Sequence, residues 1–145
     1  MVTIKSHIIN LAVQKGKLQQ LFPASSVSIS ANVLTWKHTL RPSPLGEEYQ
    51  VKMIYKLAQS PNVFVISPQL RKRQKGDDFN HVYDEGKQWL CLYYKKAREW
   101  NSGMLLADIV VPWISEWLFH YEIWSVTGKW NGGGISHGTA KGIDD

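Results

Sequence analysis

Tyr49, Val51, Met53, Tyr55 and Leu57 alternate with Gln50, Lys52 and Lys56, the period-2 signature of a strand with one buried face. The same period appears upstream, where Val27, Ile29 and Ala31 alternate with serines before the phase changes to Leu34, Trp36, His38 and Leu40. A phase change reverses which face is apolar, so it predicts two short strands joined by a turn near Ala31-Asn32. Arg41 to Gly46 reads as a turn from its two prolines and its glycine. After Ser60-Pro61-Asn62, the run Val63-Phe64-Val65-Ile66 predicts a fourth strand covered on both faces. Before all of these, Ile4, Ile8, Leu11 and Ala12 recur at helical spacing, predicting an amphipathic helix from Thr3 to about Gln14, ended near Gly16.

From Ser67 to Gly86 neither period is visible, and Pro, Lys, Arg, Asp and Gly dominate, which predicts one long irregular loop of functional type. A short apolar segment, Trp89 to Tyr94, follows it. The helical period returns at Leu105, Leu106, Ile109 and Val110, is kinked or restarted at Pro112, and continues through Trp113, Ile114, Trp117, Leu118, Tyr121 and Trp124 to a stop at Thr127-Gly128. The expected architecture is therefore α+β: an N-terminal helix, a four-stranded antiparallel meander, a long loop and two C-terminal helices. One domain over 1–145 is expected, with its core at about 18–130 and a loose glycine-rich tail at 131–145.

Composition narrows the class. With 145 residues and 43% hydrophobic content, a core can form without metal or disulfide. One cysteine excludes an internal disulfide and any multi-thiolate zinc site, and suits a reducing, cytoplasmic setting. No apolar run approaches the length of a membrane span. The net charge of +5 is unevenly placed: residues 1–46 hold five basic side chains and no acid, while the remainder is balanced. A basic end of this kind suits an acidic protein partner. Neither an RNA-binding sheet signature nor a DNA-groove helix pair is present, so nucleic acid is not the expected partner.

Cys91 is the one strong nucleophile. A lone cysteine between Leu90 and Leu92 is also an ordinary small buried hydrophobe. If the segment is extended, Cys91 shares a face with Trp89 and Tyr93 while both leucines point the other way and anchor it. A cysteine hydrolase would need a histidine beside the thiol. His81, His120 and His137 have no spacing that brings them there, and His81 reads equally as a loop-pinning group.

Taken as one frame, His81-Val-Tyr-Asp-Glu-Gly86-Lys-Gln-Trp-Leu-Cys91-Leu followed by Trp100 resembles the active-site region of ubiquitin-conjugating enzymes. That region has a His-Pro-Asn tripeptide, a glycine turn, a thioester cysteine followed by leucine, and then a tryptophan. The strings HVYDEG, LCLYY, LLAD, PWISEWLFHYEIW and TGKWNGGG look like the bacterial branch encoded in short type II CBASS antiphage operons, beside a cyclic-nucleotide synthase related to cGAS.

The resemblance implies a ubiquitin-conjugating-like transferase without cofactor or metal. In it Cys91 carries the C-terminal acyl group of the cGAS-like nucleotidyltransferase as a thioester, passes it to an amine, and so regulates the synthase. It also implies support from His81, Tyr83, Gly86 and Trp100, and docking of an activating enzyme through the first helix, with Lys5, Lys15 and Lys17 as the candidate contacts. Val82-Tyr83 stands where the family has Pro-Asn, and the family's Tyr-Pro-x-x-Pro-Pro stretch is absent. Tyr83 therefore becomes the candidate polar assistant. The alternative is a catalytically silent adaptor of the same fold that grips an acidic protein through its basic first third.

Overall fold

The computed structural model describes residues 8–92 and 100–131. Helix α1 (Leu11–Leu21) is followed by strands β1 (Ser26–Ser30), β2 (Val33–Leu40), β3 (Tyr49–Lys56), β4 (Asn62–Ser67), β5 (Val82–Asp84) and β6 (Trp89–Leu90). A π-helical turn (Leu106–Val110) then runs directly into helix α2 (Val111–Thr127). All six strands form one antiparallel sheet in the order β1-β2-β3-β4-β6-β5.

The first four strands pair in chain order, as the alternation predicted. Ala31 and Asn32 both take positive φ, 52° and 62°, which is the turn geometry that matches the twist of a two-residue hairpin. In β3, Tyr49, Val51, Met53 and Tyr55 are buried on the core face beside Leu34 and Trp36 of β2. Two corrections concern the sheet. It has six strands rather than four, because the stretch expected to be wholly irregular folds β5 out of Val82–Asp84 and pairs it with β6. And β4 is not covered on both faces: Val63 and Val65 are buried, whereas Phe64 is half-buried and Ile66 is 52% exposed.

The first helix is displaced from its expected place. It begins at Leu11, where the Asn10 side chain accepts the N–H of Val13 at 2.9 Å, and it runs through Gly16 to Leu21. Ile8 belongs to the exposed approach, and the part of the expected helix before it lies outside the described residues. Helix-forming Lys17, Gln19 and Gln20, with Leu18 fully buried, carry the helix past the glycine. Gln14 is buried too. Its amide donates to the Met104 carbonyl and accepts the Leu106 N–H, both at 2.9 Å, which fixes the start of the π-helical turn.

At the C-terminal side, the turn and α2 are continuous, so one helix stands where two were expected. Pro112 stands at the junction where the π-helical turn passes into α2. Gly128 ends α2 in the left-handed conformation, φ 74°. The apolar stripe of α2 packs into the same core as the sheet's inner face and α1. No helix among the described residues is long and apolar enough to cross a membrane.

Candidate functional site

Strands β5 and β6 are too short to stand alone, and their position is set by neighbours on three sides. Between them residues 85–88 form a tight turn, closed where the Lys87 N–H meets the Asp84 carboxylate at 3.0 Å. Gly86 lies in this turn, as expected, but the left-handed residue is Gln88, φ 54°. A non-glycine residue held there is strained by about 1–2 kcal/mol and persists only where its surroundings impose it. The surroundings are visible. The Gln88 side chain accepts the Leu70 N–H at 2.6 Å and donates to the carbonyls of Val65 at 2.8 Å and Pro68 at 3.1 Å. Its own carbonyl accepts the Val65 N–H at 3.0 Å. One buried glutamine thus ties the hairpin both to β4 and to the segment that leaves it.

Cys91 comes immediately after β6. Its N–H donates to the carbonyl of His81 at 2.9 Å, extending the β5–β6 ladder by one bond. The same carbonyl accepts the indole N–H of Trp117 at 3.1 Å. Leu90 is part of the interlocked core and Leu92 packs against it, whereas Cys91 is not in that cluster. The leucines therefore anchor the segment, as expected. Cys91 is nonetheless covered, at 6% exposure, and as the one cysteine of the chain it has no intrachain disulfide.

The segment between β4 and β5 is held across α2 by the aromatic residues at 117, 121 and 124, spaced four and three apart on one helix face. Trp117 donates to His81, the Tyr121 hydroxyl accepts the Arg71 N–H at 2.8 Å, and Trp124 donates to the Asp78 carbonyl at 3.0 Å. Asp78 also donates its N–H to the Gly128 carbonyl at 2.8 Å and accepts the Trp130 N–H at 2.9 Å. Arg71 pairs with Asp77 at 3.0 Å, with its guanidinium over the Trp124 ring. Burial raises the Tyr121 pKa above its usual value, so the hydroxyl stays protonated as it accepts from Arg71. The tryptophan stripe that reads as core is also a row of hydrogen-bonding posts for the loop leading to Cys91.

The other expected residues fall into place unevenly. His81 is buried at φ 56°, with its ring tilted on Trp130 at 4.9 Å, and its backbone carbonyl holds Cys91. Tyr83 lays its ring against Trp89, centroids 4.7 Å apart. Trp100 packs edge-on to Tyr55 and donates to the Gln59 carbonyl at 3.3 Å, which ties it to the β3–β4 turn. Lys15 and Lys17 are half-exposed on α1. Lys5, Tyr93, His137 and the expected tail from Gly132 lie outside the described residues. Among the described residues no three His, Cys, Asp or Glu side chains gather to hold a metal ion.

Sequence reasoning missed Gln88, Gln14 and the hydrogen-bonding role of the tryptophans. A lone glutamine carries no pattern; the one usable signal was a polar residue wedged between a glycine turn and an apolar segment.

One family model matches residues 14–138, that of E2-CBASS, the type II CBASS E2 protein. No curated protein matches the chain.

Proposed function

Since the chain belongs to the type II CBASS E2 protein family, we propose that it is an acyl carrier of the ubiquitin-conjugating kind, with Cys91 as the carrying nucleophile. The observation that supports this reading most is the backbone clamp on Cys91. A cysteine at the end of a strand, with its N–H fixed by His81 and the His81 carbonyl fixed in turn by Trp117, is held in one place by three separate elements. Preorganised placement of that sort is what a transfer centre requires.

The chemistry is a two-step acyl transfer. The Cys91 thiolate attacks the activated C-terminal carbonyl of the donor protein, forming a C–S bond while the activating group leaves with its electron pair. An amine then attacks the thioester, a C–N bond forms, the thiolate departs and the amine loses a proton. Activation of the carboxylate is the work of another protein, because this sequence has no phosphate-cradling glycine loop. The donor in this reading is the cGAS-like nucleotidyltransferase of the same operon, and conjugation regulates it. The half-exposed Lys15 and Lys17 of α1 fit docking of an activating enzyme. His81 and Trp100 act as framework, Gly86 as part of the presenting turn, and Tyr83, its ring against Trp89, as the polar assistant.

Incubation with the nucleotidyltransferase, ATP and an activating enzyme tests this reading. A covalent adduct released by thiol and missing in Cys91→Ala is the expected result; an adduct that survives the substitution refutes it. The 6% exposure of Cys91 favours a second reading, a silent adaptor of the same fold. Alkylation by iodoacetamide separates the two: labelling of the folded protein supports the carrier, and labelling only at the rate of global unfolding supports the adaptor.

A further inference from the structure

The loop from β2 to β3 carries Leu45 at 99% exposure on a tip that its own contacts hold in place. Arg41 donates to the Gly46 carbonyl at 2.6 Å and pairs with Glu48 at 3.3 Å, and the Gly46 N–H donates to the Ser43 carbonyl at 2.9 Å. Pro42 and Pro44 fix two further φ angles. Helix α2 runs beside this loop: Glu122 Oε2 accepts the Glu47 N–H at 2.9 Å, and a Cβ added at Gly46 would fall 2.5 Å from Glu122 Oε1. Phe119 and Val126 flank Glu122 on one stripe of α2, three positions before it and four after, and are 42% and 85% exposed. Between loop and helix opens a pocket of about 300 Å³, lined by Leu45, Glu47, Tyr49, Pro68, Tyr121 and Glu122 among others. None of its lining residues is basic, and neither Glu47 nor Glu122 has an ion pair among the described residues. Both charges are felt inside it. Burial is the main cause that raises the Tyr49 and Tyr121 pKa values, and the negative charges of Glu47 and Glu122 add to it in each.

We propose that this surface seats a cationic side chain of the acceptor protein between Glu47 and Glu122, while apolar neighbours of that residue cover Leu45, Phe119 and Val126. Charge complementarity selects the occupant: on a chain of net charge +5, two unpaired carboxylates at one pocket draw a basic segment and repel an acidic one. The planar fork of arginine can span both carboxylates, so arginine binds more tightly than lysine. A leucine already fixed on a closed turn adds apolar contact at little ordering cost. The pocket also adjoins the Cys91 clamp. Tyr121, in its wall, stacks at 5.6 Å on Trp117 one helical turn away, and Trp117 donates to the His81 carbonyl that receives the Cys91 N–H. A segment seated here brings its next residues toward the transfer centre, which is why the occupant is the acceptor. That role rests on the function proposed above; the charge of the occupant rests on the pocket.

The test titrates the full chain with the blocked tripeptide leucyl-arginyl-leucine amide and reads backbone amide shifts by NMR. Saturable shifts should centre on Glu47 and Glu122. The citrulline counterpart, equal in shape but uncharged, should bind at least tenfold more weakly, and the lysine counterpart should fall between. Glu122→Gln still accepts the Tyr49 hydroxyl and the Glu47 N–H, so it should keep the thermal midpoint while weakening the arginine peptide at least fivefold; Leu45→Ser should weaken it several-fold. Equal binding of the arginine and citrulline peptides, or no saturable shift, overturns the proposal. So does self-association in sedimentation equilibrium that Glu122→Gln abolishes, because the pocket would then belong to a second copy. The transfer arm uses the charged protein and a peptide with a lysine beyond the same motif, where Glu122→Gln should raise KM at least fivefold with kcat unchanged; an unchanged KM overturns the acceptor role. The carrier reading fails separately: if the arginine peptide binds as expected yet Cys91 never charges, the pocket stands and the thioester does not.

Discussion

Trp117 reaches the backbone of His81 with its indole N–H, 3.1 Å from the carbonyl that also receives the Cys91 N–H. Helix α2 and the Cys91 backbone therefore share one hydrogen-bond acceptor, the His81 carbonyl oxygen. Trp117→Phe keeps a ring parallel to Tyr121, now stacked at 5.6 Å, but removes the donor. One lost hydrogen bond is worth about 1 kcal/mol, or roughly 2–4 °C in a chain of this size. Charging of Cys91 should fall by more than that stability loss explains, which rate measurements well below the melting temperature will show. Unchanged charging would reduce Trp117 to a packing residue.

Gln88 offers a sharper separation of causes. Gln88→Ala removes the side-chain partners of the Leu70 N–H and of the Val65 and Pro68 carbonyls while retaining an L residue at φ 54°. The expected loss is about 2–4 kcal/mol, the cost of buried groups left unmatched. Gln88→Gly loses the same bonds but releases the backbone strain, and should be about 1 kcal/mol more stable than the alanine variant. Urea denaturation of the two proteins measures the difference. If glycine is no better than alanine, the turn is not strained.

These two residues also show where the sequence is legible. Periodicity reports how side chains divide between core and solvent, so β1 to β4, the hairpin at Ala31-Asn32 and the buried stripe of α2 could be read from it. The β5–β6 hairpin could not, because strands of three and two residues hold less than one clear alternation and are positioned by Gln88. The start of α1 was misplaced because Ile4 and Ile8 mimic a helical stripe, whereas the Asn10 cap and the contacts of Gln14 decide the boundary. Cys91 and His81 were recognisable as a frame in the sequence. That they meet through backbone atoms was not, since backbone hydrogen bonds leave no mark on residue type.

Gly16 marks an opportunity for stabilisation. It sits inside α1 without positive φ, and a Cβ added there meets nothing within 4 Å. Gly16→Ala should raise stability by about 0.5–1 kcal/mol through helix propensity alone. Gly128 is the opposite case: at φ 74°, an added Cβ would fall 2.7 Å from the Asp77 carboxylate that pairs with Arg71. Gly128→Ala should lower the thermal midpoint, and differential scanning calorimetry should find shifts of opposite sign. A destabilised Gly16→Ala protein would mean that the helix bends at that position.

Alkaline pH should reveal the second anchor of α2, where Glu122 accepts the Tyr49 hydroxyl at 2.8 Å and the Glu47 N–H at 2.9 Å. Burial, and then the Glu122 carboxylate, push the Tyr49 pKa well above the usual 10, and burial raises Tyr121 as well. For a group whose folded pKa is raised, the folded state retains protons that the unfolded chain releases. Its contribution is thus complete below pH 10 and declines as pH rises beyond that value. Stability should therefore be flat with respect to these tyrosines from pH 7 to 9.5 and fall steeply between pH 10 and 12. Tyr49→Phe should cost about 1 kcal/mol at pH 7, where the bond to Glu122 is lost, yet show a shallower alkaline decline because one titrating hydroxyl is gone. Urea midpoints of both proteins across that range decide the matter: parallel curves above pH 10 would show that Tyr49 ionises as freely in the folded protein as in the unfolded chain.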